Sequence, residues 1–187
     1  VQVIQALMGV LTCYLIFALT RAAMARRDTA LAALAMSAVY PHFIYYSRIL
    51  ATEVMFLLLT IGAFLAAYRA IEKGGMLRIA GAGVLGGLAT LCRPTAIFFL
   101  PLFALLLYLG GRKLRAGAWR KEVPVYVVVF CVMMAPWVGR NYVTFNAFIP
   151  GFTSAGYNLF MGSYPPSHGR PNMDHKEFPP ELNRELE

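Results

Sequence analysis

The chain has 187 residues, 59% hydrophobic and only 14% charged, with a mean hydropathy of +0.60 and a formal net charge of +8. One small soluble core cannot enclose that much apolar surface, so the composition excludes an ordinary soluble domain and requires a bilayer to take the remainder. The basic residues stand as short clusters between long apolar runs, which is the pattern of membrane loops; it excludes a nucleic-acid-binding stripe.

Residues 3–20 form the first uncharged apolar run, long enough to cross a bilayer, and Arg21, Arg26 and Arg27 follow it. No basic region precedes the run and no cleavage site follows it, so it reads as a span and not as a signal peptide, and the chain as part of a longer protein. Residues 29–46 form the second run, interrupted near its end by Pro41, where a helix must kink or stop, with Arg48 just beyond. Thr52 and Glu53 open the third run, which reaches Tyr68; a hydroxyl stands at the cap position and a carboxylate in the first turn. Arg69, Lys73 and Arg78 close it.

Residues 79–109 are apolar except for Arg93. An unbroken helix of that length would measure about 46 Å, against about 30 Å of hydrocarbon, so Arg93-Pro94 must turn the chain into a two-span hairpin. Basic residues on both flanks, Arg78 before and Arg112, Lys113 and Arg115 after, fit that hairpin. The sixth run, residues 123–139, ends beside Trp137, a residue suited to the membrane interface. The expected fold is therefore all-α: a polytopic transmembrane helix bundle of about six spans in residues 1–139. Residues 140–187, rich in Gly, Pro, Asn and aromatics, form an irregular outer loop region closed by a short amphipathic helix at Pro180, Leu182 and Leu186.

By alternation the segments 21–27, 69–78 and 112–121 share one face and hold eleven of the seventeen basic residues. That face is cytoplasmic by the positive-inside rule, which makes the tail extracytoplasmic and the protein a multi-pass cell-membrane protein. An odd number of spans between Arg115 and Ser167 places those two residues on opposite sides.

Several motifs are weak on inspection. Gly81-Ala82-Gly83-Val84-Leu85-Gly86 spells a dinucleotide fingerprint, but no strand precedes it and no acidic residue follows at the required distance. Gly83 and Gly87 instead make a pair four apart that lets a neighbouring helix come close. Cys13, Cys92 and Cys131 lack metal or disulfide spacing, and His168 and His175 lie seven apart, so no metal site is expected.

Three isolated arginines carry more information: Arg48, Arg93 and Arg140 each end a span at the outer face. The planar guanidinium fork matches phosphate oxygens, so the three could grip a lipid phosphate; the plainer reading is that each reaches to headgroups. Glu53 is either a favourable charge at a helix start or a partner for one of these arginines or a substrate hydroxyl. His42, Tyr45 and Tyr46, beside the Pro41 kink, either line a sugar pocket or belong to an interfacial aromatic belt.

The stretch from Tyr40-Pro41 through Tyr46-Ser47, then Leu50-Ala51-Thr52-Glu53, Leu91-Cys92-Arg93-Pro94-Thr95 and Pro136-Trp137-Val138-Gly139-Arg140-Asn141-Tyr142 resembles membrane glycosyltransferases of the GT-C class. The likeness is to the protein-mannosyltransferase-like and aminoarabinose-transferase-like branch of glycosyltransferase family 39 type, and Gly156-Tyr157-Asn158-Leu159 continues it in order. The resemblance implies transfer of a sugar from a polyprenyl-phosphate carrier to a lipid, protein or polysaccharide acceptor at the outer face. Arg48, Arg93 and Arg140 would bind the donor phosphate, and Glu53, His42, Tyr45, Tyr46 and Asn141 would line the substrate pocket. Fixed cations aimed at the leaving phosphate would lower the barrier, and a carboxylate would act as general base. In the family that carboxylate is expected in a large outer loop ahead of Val1, so this stretch alone is expected to be inactive and no catalytic residue is carried over. The resemblance leaves a divalent metal possible and the sugar open. The rival is a polytopic transporter, for which mid-span ionisable residues and a repeat relating two halves would be expected; neither is visible.

Overall fold

The computed structural model describes residues 2–48, 52–114, 117, 119–151 and 163, and the side chains of all of these except 47, 48 and 114. Every regular element among them is helical. In chain order they are α1 (Gln2–Met24), α2 (Arg27–Ala38), α3 (Pro41–Arg48), α4 (Glu53–Lys73), α5 (Met76–Cys92), a 3-10 turn (Pro94–Phe98), α6 (Phe99–Leu114) and α7 (Trp119–Phe145). Four helical stretches are long and apolar enough to cross a membrane: Gln2–Met24, Glu53–Lys73, Pro94–Lys113 and Trp119–Phe145. This is a membrane protein of all-α architecture. The region 152–187, including the short terminal helix expected there, lies outside the described residues apart from Ser163.

The interruption expected at Pro41 in the second run is present, as a stop and a fresh start. The second apolar run divides into α2, 12 residues, and α3, 8 residues, neither long enough to cross alone. The break has a local cause at Pro41, whose ring disfavours helical backbone in the residue before it while suiting the first position of the next helix. Val39 and Tyr40 therefore finish α2, their N–H groups donating to the carbonyls of Ala35 (3.2 Å) and Ser37 (3.3 Å), and α3 starts afresh. α5 is also short, 17 residues, and stands at the lower bound for a span.

The turn expected at Arg93-Pro94 is present. Arg93 is extended, with φ −142° and ψ 113°, as the residue before proline should be, and Pro94 opens the 3-10 turn that leads into α6. Another tight connection joins α4 to α5 through Gly74 (φ 71°) and Gly75 (φ 104°), backbone angles that a side chain would strain.

The buried face of α7 shows helical spacing: Glu122, Tyr126, Phe130 and Met134 recur every four residues, with Asn141 further along. The same buried cluster takes in Ile79 and Ala82 of α5 and Phe103 and Leu107 of α6, and beyond these helices Ala63, Ala67 and Ala70 of α4. A chain of aromatic contacts ties these helices, from Phe64 to Phe103 (4.9 Å), Phe103 to Tyr126 (6.1 Å) and Tyr126 to Phe130 (6.1 Å). Tyr126 also donates its hydroxyl to the Phe99 carbonyl at 2.8 Å. Interhelical hydrogen bonds in bilayers are worth about 0.6 kcal/mol on average and up to about 1.7. Tyr126→Phe should therefore lower thermal stability in detergent only slightly, and a loss of several kcal/mol would mean that the hydroxyl has a further partner.

Contacts also fix which helix ends lie together. Tyr68 near the end of α4 donates to the Ala22 carbonyl near the end of α1 at 3.1 Å. Gly110 of α6 abuts Ile71 of α4, and Gly111 abuts Trp119 at the start of α7. The basic ends of α1, α4 and α6 thus gather at one end of the bundle, and α1 and α4 run parallel. The opposite end collects the start of α4, the Arg93-Pro94 turn and the segment after α7.

Candidate functional site

At that opposite end Arg93 and Glu53 form an ion pair, Arg93 donating through Nη2 to Glu53 Oε1. Each partner is placed by its backbone. Arg93 sits on the extended residue between α5 and Pro94, and Glu53 on the first turn of α4, where a carboxylate also meets the positive end of the helix dipole. Thr52 occupies the cap position, but its hydroxyl makes no capping bond, contrary to the expectation from sequence. Its carbonyl instead accepts from the Phe56 N–H (2.9 Å) and from the Cys92 thiol (3.8 Å), which fastens the start of α4 to the end of α5.

The pair is half-open to its surroundings: the Arg93 side chain is 46% exposed and that of Glu53 21%. The Phe56 ring covers the guanidinium at 5.7 Å. Among the described residues Glu53 and Phe56 are the partners of Arg93, and the Glu53 bond uses one of its five N–H donors.

The other candidate residues are distributed unevenly around this pair. Arg140 lies within α7, which continues to Phe145; its guanidinium lies over the Trp137 ring at 5.3 Å and donates to Asn141 Oδ1 at 3.3 Å. Its partners are on its own helix, and it takes no part in the Arg93–Glu53 pair. Asn141 is buried, and its Nδ2 donates to the Ile149 carbonyl at 3.1 Å. Its amide therefore holds backbone. Arg48 is the last residue of α3 by its backbone, and its side chain is outside the described residues.

On α3, His42 and Tyr46 meet edge to face at 4.5 Å, Tyr45 packs on Tyr46 at 5.4 Å, and Tyr40 and Phe43 complete the cluster. His42 and Tyr45 are exposed, while Tyr46 faces a small cleft with Gly9 and Thr12 of α1 and Val54 and Leu57 of α4. Tyr46 thus lies against the first turn of α4, one residue from Glu53.

One arrangement was missed at the sequence level. Asn146, in left-handed backbone at φ 50°, stops α7, its N–H bonded to the Tyr142 carbonyl at 2.9 Å, and the following residues fold back. Trp137 Nε1 holds the Gly151 carbonyl at 3.0 Å, and a Cβ built on Gly151 would sit 3.5 Å from Pro94. This strap brings the end of α7 to the residue next to Arg93. An Asn followed by Pro150 after an apolar helix is a stop signal that could have been read.

Among the described residues no group of three His, Cys, Asp or Glu side chains could hold a metal ion. The arrangement offers an anion a guanidinium pre-oriented by a carboxylate at the end of a membrane bundle.

The sequence pattern of a family described as dolichyl-phosphate-mannose-protein mannosyltransferase matches residues 1–139. The match contains Arg48, Glu53 and Arg93 and stops just before Arg140 and Asn141. No curated protein and no solved structure matches the chain.

Proposed function

The chain belongs to the dolichyl-phosphate-mannose-protein mannosyltransferase family, a family of glycosyltransferases, and from that premise we propose that it serves to move a sugar from a polyprenyl-phosphate carrier to an acceptor hydroxyl. The family description names a dolichyl-phosphate-mannose donor and a protein acceptor, and we read this chain as taking a donor of that chemistry, a sugar joined to a lipid phosphate.

The observation that carries the reading is the Arg93–Glu53 pair at the end of the bundle opposite the basic helix ends. When the bond between the anomeric carbon and the donor phosphate oxygen breaks, negative charge grows on the phosphate, and a cation already aimed there stabilises it without reorganisation. Glu53 keeps one Arg93 nitrogen engaged, so the fork points in one direction while its free N–H groups meet two phosphate oxygens. Arg48 and Arg140 complete the phosphate site in this proposal, with Asn141 behind Arg140 as its support, and Tyr46, His42 and Tyr45 border the sugar. No residue here is assigned the role of base. The test is the transfer rate from a polyprenyl-phosphate-linked sugar by the full-length protein carrying Arg93→Gln; an unchanged rate overturns the phosphate assignment.

The membrane path follows from the same reading. We take α1, the α2–α3 pair, α4, α5, α6 and α7 as six crossings, with the basic ends cytoplasmic and the Arg93 end outside. In protein freed of Cys13, Cys92 and Cys131, single cysteines at Lys113 and Phe148 should label from opposite sides of the membrane, because α7 alone separates them. Labelling of both from one side would contradict this path.

A further inference from the structure

The basic end of the bundle carries a feature that donor binding at the other end does not use. An apolar groove of about 480 Å³ runs between α1, α4 and α5, walled by Leu11, Leu15, Leu58, Leu65, Leu77 and Leu85. Arg69 and Arg78 stand at its mouth, and Arg69 is also part of the wall of a second cleft, about 450 Å³, between the last turns of α1 and α4. That second cleft holds Arg21 and Lys73 as well, against one carboxylate, Glu72. Groove and cleft therefore meet at Arg69, one apolar and the other cationic.

We propose that this joined groove and cleft bind an anionic glycerophospholipid, with an acyl chain along the leucines and the phosphate on Arg69, Arg21 and Lys73. The leucines that wall the groove belong to helices apolar enough to lie in a bilayer, so an acyl chain is the occupant that matches their chemistry. The excess of cations at its mouth selects a negative headgroup over a zwitterionic one, since basic pockets between spans attract anionic lipid by charge and shape together. Arg78 is steadied for this by the bond from its Nη1 to the Gly74 carbonyl at 2.7 Å, which fixes the guanidinium at the α4–α5 turn. Lipid bound here bridges α1 to α4 and α5, and should stiffen the side of the bundle that the α7 core does not reach.

The experiment uses full-length protein in phosphatidylcholine nanodiscs into which phosphatidylglycerol is titrated, reading retained lipid by native mass spectrometry and the rise in melting temperature. Wild type should retain phosphatidylglycerol preferentially. Arg69→Gln should weaken that preference about 5- to 10-fold and leave phosphatidylcholine retention unmoved, because each basic residue near anionic lipid contributes a factor of this order. Arg69→Lys should keep most of it. Gly81→Leu tests the groove itself: Gly81 lines it, and a Cβ there meets nothing within 4 Å, so the new side chain can occupy the groove without crowding the fold. It should weaken both lipids. The proposal fails if both variants bind phosphatidylglycerol as wild type does. It also fails if glycerol 3-phosphate displaces phosphatidylglycerol as well as intact lipid does, which means a free-anion site. It fails equally if polyprenyl phosphate displaces phosphatidylglycerol and Gly81→Leu abolishes transfer while Arg69→Gln does not, which means a groove for the carrier's tail. Arg93→Gln, at the other end, should leave lipid retention intact, so loss of the donor site and loss of the lipid site read out separately.

Discussion

Arg93→Gln in the full-length protein should reduce transfer efficiency roughly 10- to 100-fold at matched membrane levels, the cost of one charge-assisted hydrogen bond of about 1.5 to 3 kcal/mol to the leaving phosphate. Three variants separate this from a merely structural role. Arg93→Lys should recover only part of the rate, because it keeps the charge and loses the two-pronged geometry. Glu53→Gln should lower the rate less than Arg93→Gln, since the guanidinium remains and the amide oxygen can still accept its bond, though without the charge. Arg140→Gln should cost least if its guanidinium keeps its place against Trp137 and Asn141 in the working enzyme. The ion pair itself contributes little to stability, being 46% and 21% exposed at its two side chains, so melting temperatures of the Arg93 variants should stay near wild type. A headgroup anchor would behave differently: lysine would serve as well as arginine, and loss of the charge would alter insertion more than turnover. Equal rates for wild type, Gln and Lys at position 93 would rule out a phosphate role.

What could be read from the sequence was whatever depended on one residue and its neighbours in the chain. Arg93-Pro94 had to turn because 31 apolar residues outrun a bilayer and proline dictates the backbone before it, and the turn is there. The basic clusters had to share a face if the helices alternate, and the Tyr68–Ala22 and Gly110–Ile71 contacts put the basic ends of α1, α4 and α6 side by side. The break at Pro41 was legible for the same reason as the Arg93-Pro94 turn, and α2 ends and α3 begins there. The partners of Arg140 were not legible: a charge after an apolar run does not say that the helix continues to Phe145 and sets Trp137 and Asn141 beside the guanidinium. Which arginine Glu53 would meet was not legible, since the choice depends on how α4 and α5 lie together, and that depends on small residues far along both helices.

Small residues also set the distance of α5 from α7, and the second large effect is expected there, at Gly87. A Cβ added to Gly87 would come 2.6 Å from the Met133 Cβ, and one added to Gly83 would come 3.0 Å from the Val129 Cβ and 3.1 Å from the Tyr126 carbonyl oxygen. α5 and α7 therefore approach as closely as glycine permits, and the obstacles are Cβ atoms and backbone, which cannot swing aside as the end of a flexible side chain can. Gly87→Leu must push the two helices apart, and overpacking of this kind typically costs about 1 to 3 kcal/mol, roughly a 5- to 150-fold fall in the ratio of folded to unfolded protein. Gly81, on the same helix, is the control: nothing lies within 4 Å of its Cβ position, so Gly81→Ala should be neutral or slightly stabilising through helix propensity. Thermal unfolding in detergent, measured for both, distinguishes packing from a general intolerance of α5 to substitution; equal stability of Gly87→Leu and wild type would refute the close-packing account. The displacement should also reach the chemistry. α5 ends at the residue before Arg93, and α7 carries Trp137, whose ring nitrogen holds Gly151 against Pro94. Opening the α5–α7 interface loosens that strap and tilts Arg93 relative to Glu53. The Gly87→Leu protein that does fold should therefore transfer sugar more slowly per folded molecule, whereas Gly81→Ala should transfer at the wild-type rate.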